Sequence, residues 1–242
     1  MLRDKVVVLT GAAGLLGPAV ARAFLAASAR VVIAGRTLDR LNALKADLGG
    51  PPDRVTPTAI DLGDEKATRA WVTALIDRFG RIDVVVHMVG GYRGGKVLAE
   101  APTEDWDFLH DSLVRTTVNL VRAVSRPLAA GAWGRFIAVT SPRALAPASK
   151  GAMYAAAKSA SDALVLALAD ELRGTGSTAN LIVVDSIEAG SGSTGGGPAT
   201  GPARPFGRTT SAEQIAAAML YLCSDEAGTV NGVRLPLIGR GL

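Results

Sequence analysis

The sequence predicts one α/β domain with a doubly wound parallel sheet, and three observations support this prediction. Short runs rich in β-branched residues recur along the chain and are apolar on both faces. Segments of helical length, either amphipathic or rich in alanine, separate these runs. A glycine-rich turn follows the first run. Strands of this kind, alternating with helices, form parallel sheets that helices cover on both faces.

The predicted strands follow one another at helix-length intervals, which favours a single domain. They are KVVVLT at 5–10, RVVIAG at 30–35, RVTPTAI at 54–60, DVVVHMV at 83–89, RFIAVT at 135–140, NLIVVD at 180–185 and GVRLPL at 232–237. The chain has 242 residues, 48% of them apolar, so it can bury a sizeable core. Because no linker precedes residue 186 and no internal repeat is evident, we expect residues 1–242 to form one domain.

The segment 186–208, SIEAGSGSTGGGPATGPARPFGR, differs from the rest of the chain in composition. Glycine, serine, threonine and proline dominate it, so it does not pack into a structure of its own. A long loop inside a compact domain often covers a binding site. We therefore predict that this segment is a substrate lid rather than a plain surface loop.

The charge of the chain is modest and evenly spread. Its 26 basic and 22 acidic residues give a net charge of +4 without a basic run, which favours an ordinary solvated surface over nucleic-acid binding. Cys223 is the only cysteine, which excludes an internal disulfide and fits a reducing compartment. The sequence thus predicts a cytoplasmic protein with no nucleic-acid partner and no metal site, in which Cys223 is a small buried residue.

The N-terminal segment has some features of a signal peptide, since a charged start precedes an apolar run and AVA at 19–21. Three glycines and Pro18 interrupt that run, which favours a strand, a turn and a helix instead. No uninterrupted apolar stretch reaches the roughly 20 residues that span a bilayer. We therefore expect no membrane partner.

The glycine-rich turn TGAAGLLG at 10–17 is a candidate phosphate-binding site. Gly11, Gly14 and Gly17 follow the first strand directly and open the first helix. Glycines at such a turn let the backbone approach a diphosphate, whose charge then lies at the positive end of the helix. Leu16 belongs to the same turn, and we include it in the predicted cofactor-binding set.

The end of the second strand predicts which dinucleotide binds. NAD-binding sheets place an acidic residue there for the ribose hydroxyls, whereas this strand ends in Gly35 followed by Arg36. A guanidinium group attracts a 2′-phosphate and a carboxylate repels one, so we predict NADP in preference to NAD, with NAD still possible. Asp61 and Leu62, after the third strand, are predicted to lie beside the adenine.

Three further residues form a candidate catalytic set. Ser141 follows the fifth strand, and Tyr154 and Lys158 lie four positions apart in an alanine-rich helix. Residues four apart share one face of a helix, so the two side chains can act together.

With these motifs in this order, the sequence resembles the short-chain dehydrogenase/reductase family. The resemblance covers nearly the whole chain, and the segments 104–107 and 211–237 also look like that family. It implies a seven-stranded sheet in the order 3-2-1-4-5-6-7. It also implies reversible hydride transfer between a nicotinamide and a small carbonyl or alcohol, and a homodimer or homotetramer that pairs through the helix carrying Tyr154.

The resemblance also implies a role for each residue of the catalytic set. Tyr154 is the expected acid in reduction and the expected base in oxidation. Lys158 is expected to lower the pKa of Tyr154 and to hold the nicotinamide ribose, and Ser141 to bind the substrate oxygen. Tyr154 and Lys158 are both included in the predicted cofactor-binding set. Gly90 ends the family's cofactor-binding motif after the fourth strand.

The sequence departs from the family pattern in four places. The glycine spacing is that of the family's extended branch, and Asn-Asn-Ala-Gly after the fourth strand becomes His87, Met88, Val89 and Gly90. Leu113 replaces the family's catalytic asparagine, and Asn119, six residues on, points to another helix face. VDS at 184–186 replaces Pro-Gly. We expect His87 to be a structural hydrogen-bonding residue or a cofactor contact rather than an acid or base.

These departures leave alternatives open. The intact Ser141, Tyr154 and Lys158 favour an NADP-dependent reductase. The missing asparagine and Pro-Gly favour a dinucleotide-binding protein with little turnover, and the glycine spacing alone points to an epimerase or dehydratase that retains its cofactor.

Overall fold

The computed structural model describes residues 2–49, 51, 53–187 and 209–237. Within these ranges the strands are β1 (Val6–Thr10), β2 (Arg30–Gly35), β3 (Val55–Ala59), β4 (Val84–His87), β5 (Gly134–Thr140), β6 (Ser177–Val184), β7 (Ser186–Ile187), β8 (Thr209–Thr210) and β9 (Arg234–Leu237). The α-helices are α1 (Gly17–Ala26), α2 (Leu38–Leu48), α3 (Glu65–Phe79), α4 (Thr103–Leu109), α5 (Thr116–Ala130), α6 (Ala152–Glu171) and α7 (Ala212–Leu222). A π-helical turn, His110–Arg115, joins α4 to α5.

The main sheet confirms the predicted fold. Seven parallel strands lie in the order β3-β2-β1-β4-β5-β6-β9. The seventh strand of the sheet is β9 because β7 and β8 form a separate parallel pair. Thr10 at the end of β1 is in register with Ala34 of β2 and with His87 of β4. The strand order therefore reverses at β1, where doubly wound sheets bind their ligands.

The core lies on both faces of this sheet, as expected for strands with apolar residues on each side. Val7 and Leu9 of β1 pack in a cluster that includes residues of α1, α2 and α7. Val6 and Val8 pack in a second cluster that includes residues of α3, α5 and α6. The N-terminal segment thus forms a buried strand, a turn and a core helix.

The segment Ser149–Glu171, which contains α6, is long and apolar enough to cross a membrane by length and composition alone. Ala155, Val165 and Leu168 of this helix are nonetheless buried within the domain. Val165 and Leu168 pack in the cluster under the sheet. The segment is therefore accounted for as a core helix of the α/β fold.

Two predictions refer to the C-terminal part of the chain. The predicted lid at 186–208 falls outside the described residues from 188 onward, and its first two residues form β7. Cys223 is buried as predicted, with 2% of its surface exposed, and burial raises the pKa of its thiol to about 12.

Candidate active site

The glycine-rich turn brings the end of β1 against the end of β4. Gly11 has a φ of +73°, and a Cβ atom on it would lie 2.9 Å from the backbone of Met88 and of Val89. A Cβ on Gly17 would lie 1.7 Å from the carbonyl oxygen of Ala12. Neither position can hold a larger residue without moving backbone, so the turn requires glycine at both.

A cleft of about 780 Å³ opens over this turn, at the carboxyl ends of β1, β2 and β4. Six of the predicted cofactor-binding residues line it, namely Gly11, Gly14, Arg36, Asp61, Leu62 and Gly90. The other four members of the predicted set, Leu16, Gly17, Tyr154 and Lys158, do not line it. Leu16 packs in the core with 6% of its surface exposed. Gly17 packs closely against the backbone of Ala12 inside the turn.

The far end of the cleft is positively charged. Arg36 is exposed and has no hydrogen-bond or ion-pair partner among the described residues. The guanidinium of Arg40 also lies at this end, where its Nη2 donates to the carbonyl oxygen of Ala13 at 2.9 Å. Asp61 uses its Oδ1 to accept from the backbone N–H of Gly63 at 2.9 Å. A glycine cradle with a guanidinium group beside it can hold the phosphate groups of an anionic ligand.

The predicted catalytic set lies where β5 ends and α6 begins, and only its Lys158 adjoins a residue of the cleft, Gly90. Ser141 is buried just after β5 and accepts from the backbone N–H of Arg143 at 3.3 Å. Its hydroxyl also interacts with that of Tyr154, which extends from the first turn of α6. The ring of Tyr92 meets the ring of Tyr154 edge-on, with 5.1 Å between centroids.

Lys158, one turn after Tyr154, is almost fully buried, with 9% of its surface exposed. Its Nζ donates to the carbonyl oxygen of Val139 at 2.9 Å and would lie 4.0 Å from a Cβ on Gly90. The lysine therefore adjoins the end of the cleft. Burial lowers its pKa to about 8, although the nearby carboxylate of Asp162 acts in the opposite direction.

The pKa of Tyr154 differs from the sequence-based expectation. Burial raises it above 10.0, and donation from Ser141 only partly opposes the rise. The raised pKa is opposite in direction to the lowering that the sequence predicted from Lys158. Tyr154 is thus a protonated phenol near neutral pH, the form that donates a proton.

His87 takes part in a buried hydrogen-bond network. Its Nδ1 lies 2.8 Å from Thr10 Oγ1 and its Nε2 lies 3.2 Å from Thr117 Oγ1. Thr117 donates its proton to the carbonyl oxygen of Leu113 at 2.6 Å, so it accepts from Nε2 of the histidine. Burial, with a further contribution from the charge of Lys158, lowers the pKa of His87 to about 3. A neutral His87 that joins β1, β4 and α5 matches the structural role that the sequence favoured.

The π-helical turn positions Leu113, which replaces the family's asparagine. Its side chain is 1% exposed and packs with Leu109 and Ala157. Its carbonyl oxygen accepts from the hydroxyl groups of Thr117 and Ser161. These two hydroxyls were missed by sequence reasoning, because no local pattern shows that a π-turn carbonyl would meet them.

Asn119 lies away from the catalytic set, as the helical geometry predicted. Its Nδ2 donates to the carbonyl oxygens of Leu62 and Gly63, at 2.8 and 3.1 Å. It therefore braces the loop after β3, where the predicted adenine contacts lie. Among the described residues, no group of three or more His, Cys, Asp or Glu side chains is arranged to hold a metal ion.

A doubly wound sheet with a glycine-rich turn at its switch point defines a Rossmann-type dinucleotide-binding domain. The family model described as "Enoyl-(Acyl carrier protein) reductase" matches residues 11–237. The chain belongs to the short-chain dehydrogenase/reductase family.

Named relatives and solved structures are consistent with this assignment. The chain is 30% identical to a D-threitol dehydrogenase of Mycolicibacterium smegmatis, over 98% of this chain and 93% of the relative. It is 29% identical to a meso-2,3-butanediol dehydrogenase of Serratia marcescens, over 98% and 94% of the two chains. A short-chain type dehydrogenase/reductase structure from Mycobacterium ulcerans superposes with a TM-score of 0.86 at 26% identity, covering 98% of this chain and 89% of that chain.

Proposed function

We propose that this protein is an NADP(H)-dependent oxidoreductase that interconverts a small carbonyl compound and its alcohol, with Tyr154 as acid and base. The observation that supports the proposal is that the hydroxyl groups of Ser141 and Tyr154 interact, while Lys158, one helical turn after Tyr154, adjoins Gly90 of the cleft. A protein that only binds a dinucleotide has no need of a hydroxyl pair at that point.

The cofactor supplies hydride chemistry when it is bound. In the proposed complex the glycine-rich turn takes the diphosphate, and Arg36 binds the 2′-phosphate at the open end of the cleft. Lys158 holds the nicotinamide ribose from the other end. The free guanidinium of Arg36 supports the preference for NADP, because no carboxylate occupies the position that selects NAD.

The protein's own contribution is proton transfer and orientation. In reduction, Ser141 donates a hydrogen bond to the substrate oxygen, and Tyr154 gives its phenolic proton to that oxygen as negative charge develops there. In oxidation the phenolate form of Tyr154 takes the proton of the substrate hydroxyl group. The ring of Tyr92 contacts the ring of Tyr154 in a T-shaped arrangement, which helps to hold the phenol in place.

The named relatives guide the choice of substrate class. D-threitol and meso-2,3-butanediol, the compounds in their names, are both small alcohols with neighbouring hydroxyl groups. We propose that this chain also acts on a small-molecule alcohol or carbonyl. We further propose a cytoplasmic homodimer or homotetramer.

A second candidate function is supported by one observation. Leu113 fills its position with a buried hydrocarbon side chain. If the missing asparagine is essential, the protein binds the dinucleotide with little turnover and acts as a sensor or regulator.

One experiment separates the two functions. Oxidation of NADPH is followed across a panel of small aldehydes, ketones and hydroxyketones, and reduction of NADP across small diols, while calorimetry measures the binding of each dinucleotide. The proposal requires both binding and turnover with at least one substrate. Binding without turnover on the whole panel supports the sensor, and absence of binding contradicts both.

A further inference from the structure

A small internal cavity lies behind the catalytic set and is distinct from the cofactor cleft. Its volume is about 10 Å³, close to the space that one water molecule needs. The polar side chains that line it are those of His87, Thr117, Lys158, Ser161 and Asp162. A polar cavity of about this volume can hold one buried water molecule when two or more polar groups face it.

Asp162 is the unusual member of this lining. It lies one turn after Lys158, and only 1% of its surface is exposed. Its Oδ2 accepts from Nε of Arg234 at 3.2 Å. Its Oδ1 is buried and has no hydrogen-bond donor among the described residues. Burial of a carboxylate oxygen without a hydrogen-bond donor costs free energy. Oδ1 therefore requires a donor other than the described protein groups.

The neighbouring hydroxyls are already engaged. Thr117 and Ser161 both donate to the carbonyl oxygen of Leu113, at 2.6 and 3.0 Å. His87 is neutral and uses Nε2 toward Thr117. Lys158 is different, because an ammonium group has three N–H donors and the structure shows one of them bound to Val139. Lys158 can therefore donate into the cavity.

We propose that this cavity holds one water molecule that bridges Nζ of Lys158 and Oδ1 of Asp162, and that Asp162 is a positioning residue that supplies the counter-charge of Lys158. The water accepts from the ammonium group and donates to the carboxylate. Asp162 touches neither substrate nor cofactor and acts through Lys158. The effect that we expect on turnover rests on the proposed function. The effect that we expect on the pKa of Lys158 does not.

The electrostatics of the site agree with this arrangement. Burial lowers the pKa of Lys158 and the carboxylate of Asp162 raises it, with a net value of about 8. Lys158 is thus mostly protonated at neutral pH, but its pKa of about 8 lies only slightly above that pH. Removal of the Asp162 charge leaves burial unopposed, so the lysine loses its proton at a lower pH.

The other charged groups near Lys158 do not replace Asp162. His87 of β4 is neutral, and Tyr154 on the same helix is an uncharged phenol near neutral pH. Arg234 of β9 is a cation and contacts Asp162 from the far side. The π-helical turn packed on α6 contributes Leu113 to the cavity and none of its charged side chains.

The test measures the pKa of Lys158 directly. Protein labelled with ¹³C-lysine is titrated by NMR without cofactor, and the Lys158 signal is assigned by its loss in Lys158→Ala. Asp162→Asn keeps the shape of the side chain and removes its charge, so we expect the pKa of Lys158 to fall by about one unit or more. Arg234→Gln is the matched control, because it breaks the same ion pair but removes a positive charge, and it should leave this pKa unchanged or raise it.

The proposal can also be overturned by specific results. An unchanged pKa of Lys158 in Asp162→Asn, or an equal fall in Arg234→Gln, overturns the proposal. If Asp162→Asn does not fold, a high-resolution crystal structure of the wild type decides, since the proposal requires a water within hydrogen-bond distance of both Lys158 Nζ and Asp162 Oδ1 and fails without one.

Turnover then distinguishes this inference from the proposed function. If a substrate is found, Asp162→Asn should lose activity at pH 8 and recover it at pH 6, because the lysine is again protonated there. A loss that acid pH does not restore contradicts the counter-charge role. If the panel gives no turnover but the NMR shift occurs, the counter-charge role stands while the proposed function fails.

Discussion

Nζ of Lys158 donates a hydrogen bond to the carbonyl oxygen of Val139 at 2.9 Å, one helical turn after Tyr154. The interaction uses one ammonium proton on the protein itself and leaves the Tyr154 phenol with a pKa raised by burial. The site thus contains a neutral acid, Tyr154, and a cation, Lys158, one helical turn apart.

Cofactor preference should depend on Arg36. Arg36→Asp places a carboxylate where the 2′-phosphate of NADP would bind, so we expect the affinity for NADPH to fall below that for NADH. Calorimetry with both dinucleotides measures the change. Arg22→Asp is the matched control, since Arg22 is exposed and ion-paired with Asp47 at a position that does not line the cleft. Equal affinities for the two dinucleotides in the wild type would contradict the proposed preference.

The assembly should depend on the outer face of α6. Ala156, Ala163 and Ala167 of this helix are exposed in the single chain, although they are small and apolar. We expect light scattering at micromolar concentration to give a dimer or tetramer, and Ala163→Arg to give a monomer. Ala74→Arg, at an exposed position on α3, should keep the wild-type mass. A monomeric wild type would refute the proposed assembly.

Stability should fall in acid partly because of His87. Its pKa is about 3 in the folded protein and 6.5 when unperturbed, so between these values the unfolded chain binds a proton that the folded one does not. The free energy of unfolding should therefore drop by roughly 1.4 kcal/mol per pH unit from this residue as pH falls below 6.5. Urea unfolding at pH 7 and pH 4 measures the loss.

Two variants isolate this contribution. His87→Gln should lower stability at pH 7 but show a smaller loss on going to pH 4. His110→Gln changes the only other histidine, which is half-buried, and should retain most of the wild-type loss. The same loss in all three proteins would show that His87 does not titrate as described.

Leu113→Asn restores the family residue and tests the apolar cluster around it. The side chain is 1% exposed among hydrophobic neighbours, so an amide there should cost about 1–3 kcal/mol of unfolding free energy. Leu113→Met keeps the apolar volume and should cost less. A stable Leu113→Asn protein with higher turnover than the wild type would show that a proton relay through this position limits the rate.

Much of the fold followed from local sequence. β1, β2 and β4 are continuous β-branched runs, and their predicted positions agree with the structure to within two residues at either end. β6 begins at Ser177, three residues before its predicted start, because polar Ser177 and Thr178 are buried there by tertiary contacts. Hydrophobic pattern alone does not reveal such residues.

The candidate site was predictable only in part. Residue spacing predicted that Tyr154 and Lys158 share a helix face, and it predicted the glycine turn. The raised pKa of Tyr154 depends on burial, and the cavity at Asp162 depends on how β4, α5 and α6 meet. The side chain of Leu16 packs into the core, which its position inside the glycine-rich motif did not reveal, and its predicted contact with the cofactor stays a prediction.

The central claim is that Tyr154 is the proton donor of an NADP(H)-dependent reductase, and the most direct measurement compares wild type with Tyr154→Phe. The substitution removes one hydroxyl and keeps the ring. We predict unchanged NADPH affinity by calorimetry and a single-turnover reduction rate lower by roughly 10²-fold or more. A Tyr154→Phe protein that reduces the same substrate at the wild-type rate would contradict the claim.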